Sequence, residues 1–273
     1  MPSISVIIGL YNCAPTLPQA LDSLLAQTFS DWEAILCDDG SVDNTKEIAQ
    51  KYAAAYPGKF KVIANERNMG LNYTLNHCLE YATGKYIARM DGDDLSLPER
   101  FAKEIAALES HPEMAFVSTA MEFFDGQGVY GRNHPKQYPQ PKDFMKGTPF
   151  CHAPCLVRAQ AYRKVGGYTV DKRLLRVEDY HLWVKMYAAG YLGMNLLEPL
   201  YQMRDDRNAW KRKDFRTRRN QLHVLFLAMR MLPIPFSGYV QATKTIVRIL
   251  GLMVMPICIY QYFHKRRLAV RAR

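Results

Sequence analysis

Between residues 3 and 90 the chain alternates short apolar runs with stretches of helical periodicity. Residues 3–10 (SISVIIGL) form a continuous β-branched run of strand length, the pattern of a parallel strand buried on both faces. Over 15–27, Leu17, Ala20, Leu21, Leu24 and Leu25 recur on one helical face. Residues 33–37 predict a second strand, 43–56 a second helix capped by Asp43 or Ser41, and Phe60–Ala64 a third strand. A third helix over 72–82 and a fourth strand over 85–90 follow. Strand and helix joined by short turns imply an α/β fold, a Rossmann-like, mostly parallel sheet flanked by helices.

Beyond Asp94 the rhythm loosens. Residues 97–109 predict a helix with Pro98 in its first turn, 114–119 a strand, 126–149 a loop or hairpin, and 154–158 a short strand. Tyr180, Trp183, Val184 and Tyr187 give 177–189 a helical face, and 191–197 and 200–204 predict two edge strands.

Charge divides the chain near residue 205. From Arg204 onward there are 16 Lys+Arg and 3 Asp+Glu, a net of +13, whereas the preceding residues hold the other 20 basic and 23 acidic residues, a net of −3. A body over 1–205 and a C-terminal basic amphipathic helical tail over 206–273 are therefore expected. The longest uncharged stretch of the tail, 249–263, has 15 residues and contains Pro256 and Gln261. A membrane-spanning helix needs about 20 apolar residues. The stretch suits an interfacial helix on an anionic membrane surface, with Arg248 and Lys265, Arg266 and Arg267 at the headgroups. The alternatives are a helical cap packed on the body and a homodimer interface. Removal of everything after Arg219 is expected to leave the body's site intact. The basic residues alternate with aliphatic runs instead of stacking aromatics, so no nucleic acid is expected as a partner.

The six cysteines are scattered without a CxxC pair, and no zinc ligand set accompanies Cys151, His152 and Cys155. Reduced thiols and the absence of a signal-like N-terminus lead to the expectation of a cytoplasmic protein.

Ligands of a parallel sheet bind at the carboxyl ends of its strands. Polar clusters fall at four such ends: Tyr11 and Asn12; Asp38, Asp39, Gly40 and Ser41; Arg67, Asn68, Met69 and Gly70; and Asp91, Gly92, Asp93 and Asp94. Three carboxylates in the last cluster repel one another, and Mg²⁺ or Mn²⁺ would relieve that repulsion while sharing its remaining positions with phosphate. No P-loop and no Gly-rich dinucleotide fingerprint is present, which argues against a kinase of that type and against a nicotinamide enzyme.

The ordered segments SVIIGLYN, QTFSDWEAILCDDGSVDNT, ERNMGLNYTLNHCLEYATGKYIARMDGDD and VEDYHLW resemble the family 2 glycosyltransferases over about residues 3–205. The resemblance implies the glycosyltransferase A-type fold and inverting transfer from a nucleotide-sugar donor. UDP is the implied carrier, with dTDP and GDP open. It also implies residue roles. Tyr11 lies against the base, and Asp38 and Asp39 accept its hydrogen bond, with Asn68 and Gly70 in the same binding region. Asp91 reaches the ribose and the metal, Asp93 ligates the Mn²⁺ or Mg²⁺ that holds the diphosphate, and Asp179 beside Glu178 is the general base. His152 and Arg158 fall in a segment resembling the family's sugar and acceptor region, and Asp206 replaces a histidine that some relatives place on the metal. The Gln-x-x-Arg-Trp sequence of processive synthases is missing, so one sugar is added per encounter. The implied acceptor is a glycan or lipid-linked sugar in surface polysaccharide or glycolipid synthesis, on the inner face of the cytoplasmic membrane. A nucleotidyltransferase and a non-catalytic nucleic-acid- or membrane-binding module are the competing classes.

Overall fold

The computed structural model describes residues 2–205 and 214–254. Strands β1 (Ile4–Leu10), β2 (Trp32–Asp38), β3 (Phe60–Ala64) and β4 (Tyr86–Arg89) run parallel in the spatial order β3-β2-β1-β4. The apolar run of β1 feeds two cores because successive side chains point to opposite faces. Ile4, Val6, Ile8 and Leu10 meet Leu17, Leu21 and Leu24 of α1 (Leu17–Leu25), whereas Ile7 meets Leu75 and Cys78 of α3 (Leu71–Tyr81). The chain leaves β1 toward β2 and returns on its other side at β4, so the topological switch point lies between β1 and β4.

Helix α2 (Thr45–Ala55) is capped otherwise than its sequence suggests. The cap position falls on Asn44, which makes no side-chain cap bond, while the Asp43 carboxylate accepts the Thr45 N–H at 3.1 Å. Ser41 Oγ instead accepts the Asn12 N–H at 3.0 Å and ties the β1 and β2 ends together.

The sheet is mostly parallel, as expected, and the second half adds antiparallel pairings that make it mixed. The elements of that half are β5 (Leu95–Ser96), α4 (Arg100–Ser110), β6 (Met114–Asp125), β7 (Gly128–Arg132), β8 (Leu156–Arg158), α5 (Ala159–Val165), α6 (Glu178–Ala188) and β9 (Leu192–Arg204). The full order is β3-β2-β1-β4-β8-β6-β9-β5, with β7 on β6, and β8 is antiparallel to both β4 and β6. The two predicted edge strands are one interior strand, β9, parallel to β6 and flanked by β5. The ladder shifts register beside Thr119 and Ala120 opposite Leu196 and Pro199, the local disruption a proline without an N–H imposes. Pro98 lies ahead of α4, because Leu97 still donates to the Leu200 carbonyl at 3.0 Å.

Helices α7 (Phe215–Met231) and α8 (Phe236–Val254) close this half. Val224, Leu225, Ala228, Leu232 and Ala242 join Phe144, Trp183 and Val184 in one buried cluster. A cut after Arg219 would therefore open the core under α6, contrary to the expectation that it leaves the site intact. On α8, Gly238, Ala242, Thr245 and Ile249 face inward. Its other face exposes Phe236, Tyr239, Val240, Val247, Leu250 and Val254, flanked by exposed Lys244 and Arg248. Among the described residues no helix is long and apolar enough to cross a membrane. The remainder of the predicted interfacial segment, with Lys265, Arg266 and Arg267, lies outside the described residues.

Candidate active site

The turn after β4 carries the sheet's densest charge. Asp91, Asp93 and Asp94 can bring one oxygen each within 4.8 Å of one another. They differ in what holds them. Asp94 is buried, accepting from Tyr201 Oη at 2.9 Å and from the Arg204 N–H at 2.7 Å. Asp91 is half-buried and ion-paired to Arg89. Asp93 stands at the exposed rim, where loss of hydration and the Asp91 charge raise its pKa. Hard oxygen donors converging at this spacing fit Mg²⁺ or Mn²⁺. Because both Asp94 oxygens already accept protein hydrogen bonds, Asp91 and Asp93 are the ones that would hold it.

Gly92 lets this turn approach the end of β1: a Cβ there would lie 2.8 Å from Leu10 Cδ2 and 3.0 Å from Cys13 Sγ. Thr16 Oγ1 donates to the Gly92 carbonyl at 3.2 Å. The acidic turn is thus seated beside Tyr11, whose ring is exposed.

Asp39 organises the neighbouring loops. Its Oδ1 accepts from Asn65 Nδ2 and the Met69 N–H, each at 2.7 Å, and its Oδ2 accepts the Gly70 N–H at 2.9 Å. Gly40, at φ +73°, allows the same loop to pack on the 67–68 backbone; a Cβ there would lie 2.8 Å from the Asn68 nitrogen. Asp38 accepts the Ser41 N–H at 3.3 Å through Oδ2, while its buried Oδ1 has no hydrogen-bond partner. Tyr11, Asp38, Asp39, Asn68, Gly70, Asp91 and Asp93 thus come from neighbouring loops along one sheet edge.

A second acidic pair arrives from the other half. Glu178 and Asp179 occupy the first turn of α6. Burial and then the Glu178 charge push the Asp179 pKa up to about 7. Burial also raises Glu178, and the Asp91 charge contributes to that rise. The cation between the acidic groups is Arg89, nearly wholly buried, whose charge acts against the rise at Asp93, Glu178 and Asp179. A cavity of about 550 Å³ joins the two clusters, lined among others by Arg89, Asp91, Lys136, His152 and Asp179. His152 shares a hydrogen bond with Tyr168 Oη at 2.7 Å, and burial lowers its pKa so that the imidazole stays neutral.

Arg158 does not join them. Strand β8 is antiparallel to β4, so Arg158 pairs with Tyr86 at the amino end of β4, opposite the acidic turn. Its guanidinium donates to the carbonyls of Leu108 and Met114 at 2.7 and 2.9 Å. The expectation from the resemblance, that it contacts substrate, is corrected, because the antiparallel course of β8 carries Arg158 to the far end of β4. Asp206 lies outside the described residues.

Sequence reasoning missed Arg89 and its support. Arg100 and Glu104, both fully buried, pair at 3.2 Å. Arg100 Nη2 also donates to the carbonyls of Arg89 at 3.0 Å and Cys155 at 3.2 Å, beneath the cavity wall. The i, i+4 spacing on α4 was the available signal, but it usually marks a solvated pair. Tyr201, which accepts the Asp91 N–H at 3.2 Å while donating to Asp94, was hidden in a supposed edge strand.

The sheet order, with its acidic turn at the switch point, defines an α/β fold of the glycosyltransferase A type. Residues 5–166 match the family described as glycosyl transferase family 2, and the chain belongs to that family. It is 43% identical over 266 residues to the glycosyltransferase EpsE of Bacillus subtilis (strain 168), covering 97% of this chain and 94% of that protein. It is 31% identical over 276 residues to the amylovoran biosynthesis glycosyltransferase AmsE of Erwinia amylovora, covering 96% and 98%. A UDP-Glc:alpha-D-GlcNAc-diphosphoundecaprenol beta-1,3-glucosyltransferase of Escherichia coli, WfgD, is 26% identical over 183 residues, 67% of this chain and 69% of that one. Among solved structures, residues 1–349 of S. aureus TarS in complex with UDP superpose with a TM-score of 0.68 at 18% identity, covering 89% of this chain and 70% of that one. The mannosyltransferase PcManGT of Pyrobaculum calidifontis, in complex with GDP-Man and Mn²⁺, gives 0.67 at 18% identity, covering 97% and 79%. Membership of this family decides for glycosyl transfer over nucleotidyl transfer.

Proposed function

We propose that the protein transfers one sugar per encounter from a UDP-sugar to a hydroxyl of a glycan or lipid-linked acceptor in surface polysaccharide or glycolipid synthesis, inverting the anomeric centre. The observation that carries this reading is the single cavity lined by both Asp91 and Asp179. A donor diphosphate at Asp91 and Asp93 would extend its sugar toward Asp179. Tyr11 offers a ring to the base. The oxygens of Asp38 and Asp39 keep acceptor capacity beyond their protein bonds, with Asn68 and Gly70 closing the binding region.

The acceptor oxygen forms a bond to the anomeric carbon as the bond from that carbon to the β-phosphate oxygen breaks, its electron pair leaving with the nucleoside diphosphate. Asp179 takes the acceptor proton, and a carboxyl with a pKa near 7 is matched to that task. Glu178 stands beside it in the first turn of α6, and neutral His152 lines the same cavity. Asp91 and Asp93 would hold the Mn²⁺ or Mg²⁺, which when bound would offset the charge developing on the leaving diphosphate. An α-linked donor gives a β-linked product.

The exposed apolar face of α8, with Lys244 and Arg248 beside it, supports placement on an anionic membrane surface, the inner face of the cytoplasmic membrane. Support for a lipid-linked acceptor comes from WfgD, named for transfer to an alpha-D-GlcNAc-diphosphoundecaprenol, and support for a UDP donor from the TarS complex. A screen of UDP-, dTDP- and GDP-sugars with Mn²⁺ or Mg²⁺, reading release of nucleoside diphosphate, tests the proposal. Metal-dependent release with one of the UDP-sugars is expected. Release of pyrophosphate, or binding of no nucleotide at all, would overturn it.

A further inference from the structure

A second cavity, of about 200 Å³, lies between the first turn of α6, the 146–148 segment and helices α7 and α8. Its lining brings together Lys146, Arg176 and Arg248, and Asp179 is the one acidic residue among the residues that line it. Asp179 and the 146–148 segment also line the larger cavity. The carboxylate therefore stands between two chambers. One contains the acidic turn that would hold a donor, and the other is dominated by positive charge.

The cations are placed by the fold. Arg176 sits at φ +64°, left-handed for a non-glycine residue, directly before the buried Val177. Asn220 of α7 fixes the preceding residue by donating to the Leu175 carbonyl at 3.1 Å. Arg248 reaches from α8 to the Lys146 carbonyl at 3.4 Å, which sets α8 against the opposite wall. Leu225 and Ile249 supply apolar surface to the same cavity, and the exposed apolar stripe of α8 continues beyond Arg248 through Leu250 and Val254.

We propose that this second cavity binds the diphosphate of a prenyl-diphosphate-linked acceptor through Lys146, Arg176 and Arg248, with the prenyl chain leaving along α8. The inference rests on the transferase reading above and names the part of the acceptor that the protein grips. An acceptor sugar carried on a diphosphate would present its hydroxyl to Asp179 from the side opposite the donor. Its phosphates would then lie among the three cations. Arginine is suited to phosphate because its planar fork donates two parallel hydrogen bonds.

Direct binding to the full-length chain tests this, with farnesyl diphosphate as the probe and EDTA present to keep it from the acidic turn. Farnesol, inorganic pyrophosphate and soluble dihexanoyl phosphatidylglycerol are the comparison ligands. Arg176→Gly, which suits the left-handed backbone, and Arg248→Gln are each expected to weaken farnesyl diphosphate by about tenfold to a hundredfold, the loss of one charge-assisted contact. Lys51→Gln, on the exposed surface of α2 and outside both cavities, should leave its affinity at the wild-type value. UDP with Mn²⁺ should bind all of these variants as it binds wild type.

Absent binding of farnesyl diphosphate, equal affinity in the arginine variants, or displacement by UDP in EDTA would overturn the proposal. Equally tight binding of pyrophosphate would refute the lipid commitment. Equally tight binding of phosphatidylglycerol would assign the cations to membrane headgroups and refute it too. Wild-type protein that binds no UDP counts against the transferase reading itself, whereas UDP binding without farnesyl diphosphate binding counts only against this cavity.

Discussion

The two halves of the sheet build their share of the site by different means. In the parallel half, neighbouring strands end in acidic turns, and those turns are locked to each other through Asp39, Gly40 and Thr16. In the mixed half, the site residues come from the start of α6 and the irregular 146–153 segment, held from behind by α7 and α8. The first half presents polar groups at positions fixed by the ladder itself. The second positions its acids by packing, so its geometry depends on the aromatic core of Phe116, Phe144, Phe150 and Trp183. The acidic turns of the parallel half are thus specified locally, and the acids of α6 through tertiary contacts.

The strongest break in that comparison falls on Asp179. Asp179→Asn is expected to lower transfer by about a thousandfold, the middle of the range for a general base, while UDP binding on the parallel side is unchanged. Single-turnover transfer beside equilibrium UDP binding checks both halves at once. The same variant has a stability consequence with a defined sign. Folding raises the Asp179 pKa from its ordinary value to about 7, so the ionised form destabilises the folded state as pH rises through that interval. Asp179→Asn should therefore melt above wild type at pH 8, and the advantage should disappear toward pH 4.

Removing one partner of the buried Arg100–Glu104 pair comes next. Arg100→Met leaves Glu104 buried and unpaired and is expected to cost about 3–5 kcal/mol, measured by urea denaturation. Burial already lifts Glu104 to about 7 against the pull of Arg100, so a rise in the pH of measurement should enlarge the loss.

A smaller effect is expected at Asp39. Asp39→Ala strips acceptors from the Met69 and Gly70 N–H groups and should lower stability by about 1–3 kcal/mol, with UDP affinity falling about tenfold. Transfer at saturating donor should hold, since the α6 acids are untouched. Finally, Glu178→Gln removes a charge that raises Asp179. The acidic limb of kcat/KM, expected near pH 7 in the wild type, should move to lower pH, and a limb that stays in place would show that Asp179 does not set it.

How far each half could be read in advance follows the same division. The apolar runs of β1 to β3 and the periodicity of Leu17, Leu21 and Leu24 made the parallel half legible, because burial on two faces leaves an unbroken hydrophobic signature. The four polar clusters were legible for the same reason, since strand ends locate them. In the mixed half, Pro199 divided one long strand into two apparent ones, and two-residue β5 carries no periodicity at all. Arg158 was placed at the site by the resemblance of its segment, and nothing in the three residues of β8 shows the strand direction that carries it away. Arg89 was unreadable as the cation of the cluster, since Glu178 and Asp179 meet it and its neighbour Asp91 only from a distant part of the chain.

Strand β9 has a mechanical consequence. Its last residue offers a backbone N–H to Asp94 and a guanidinium to the Asp93 carbonyl at 2.9 Å, and the chain then proceeds to α7 and α8. Shortening the Arg204 side chain would therefore free the Asp93 carbonyl while leaving the backbone bond to Asp94 in place, so the outer carboxylate of the turn would loosen before the buried one.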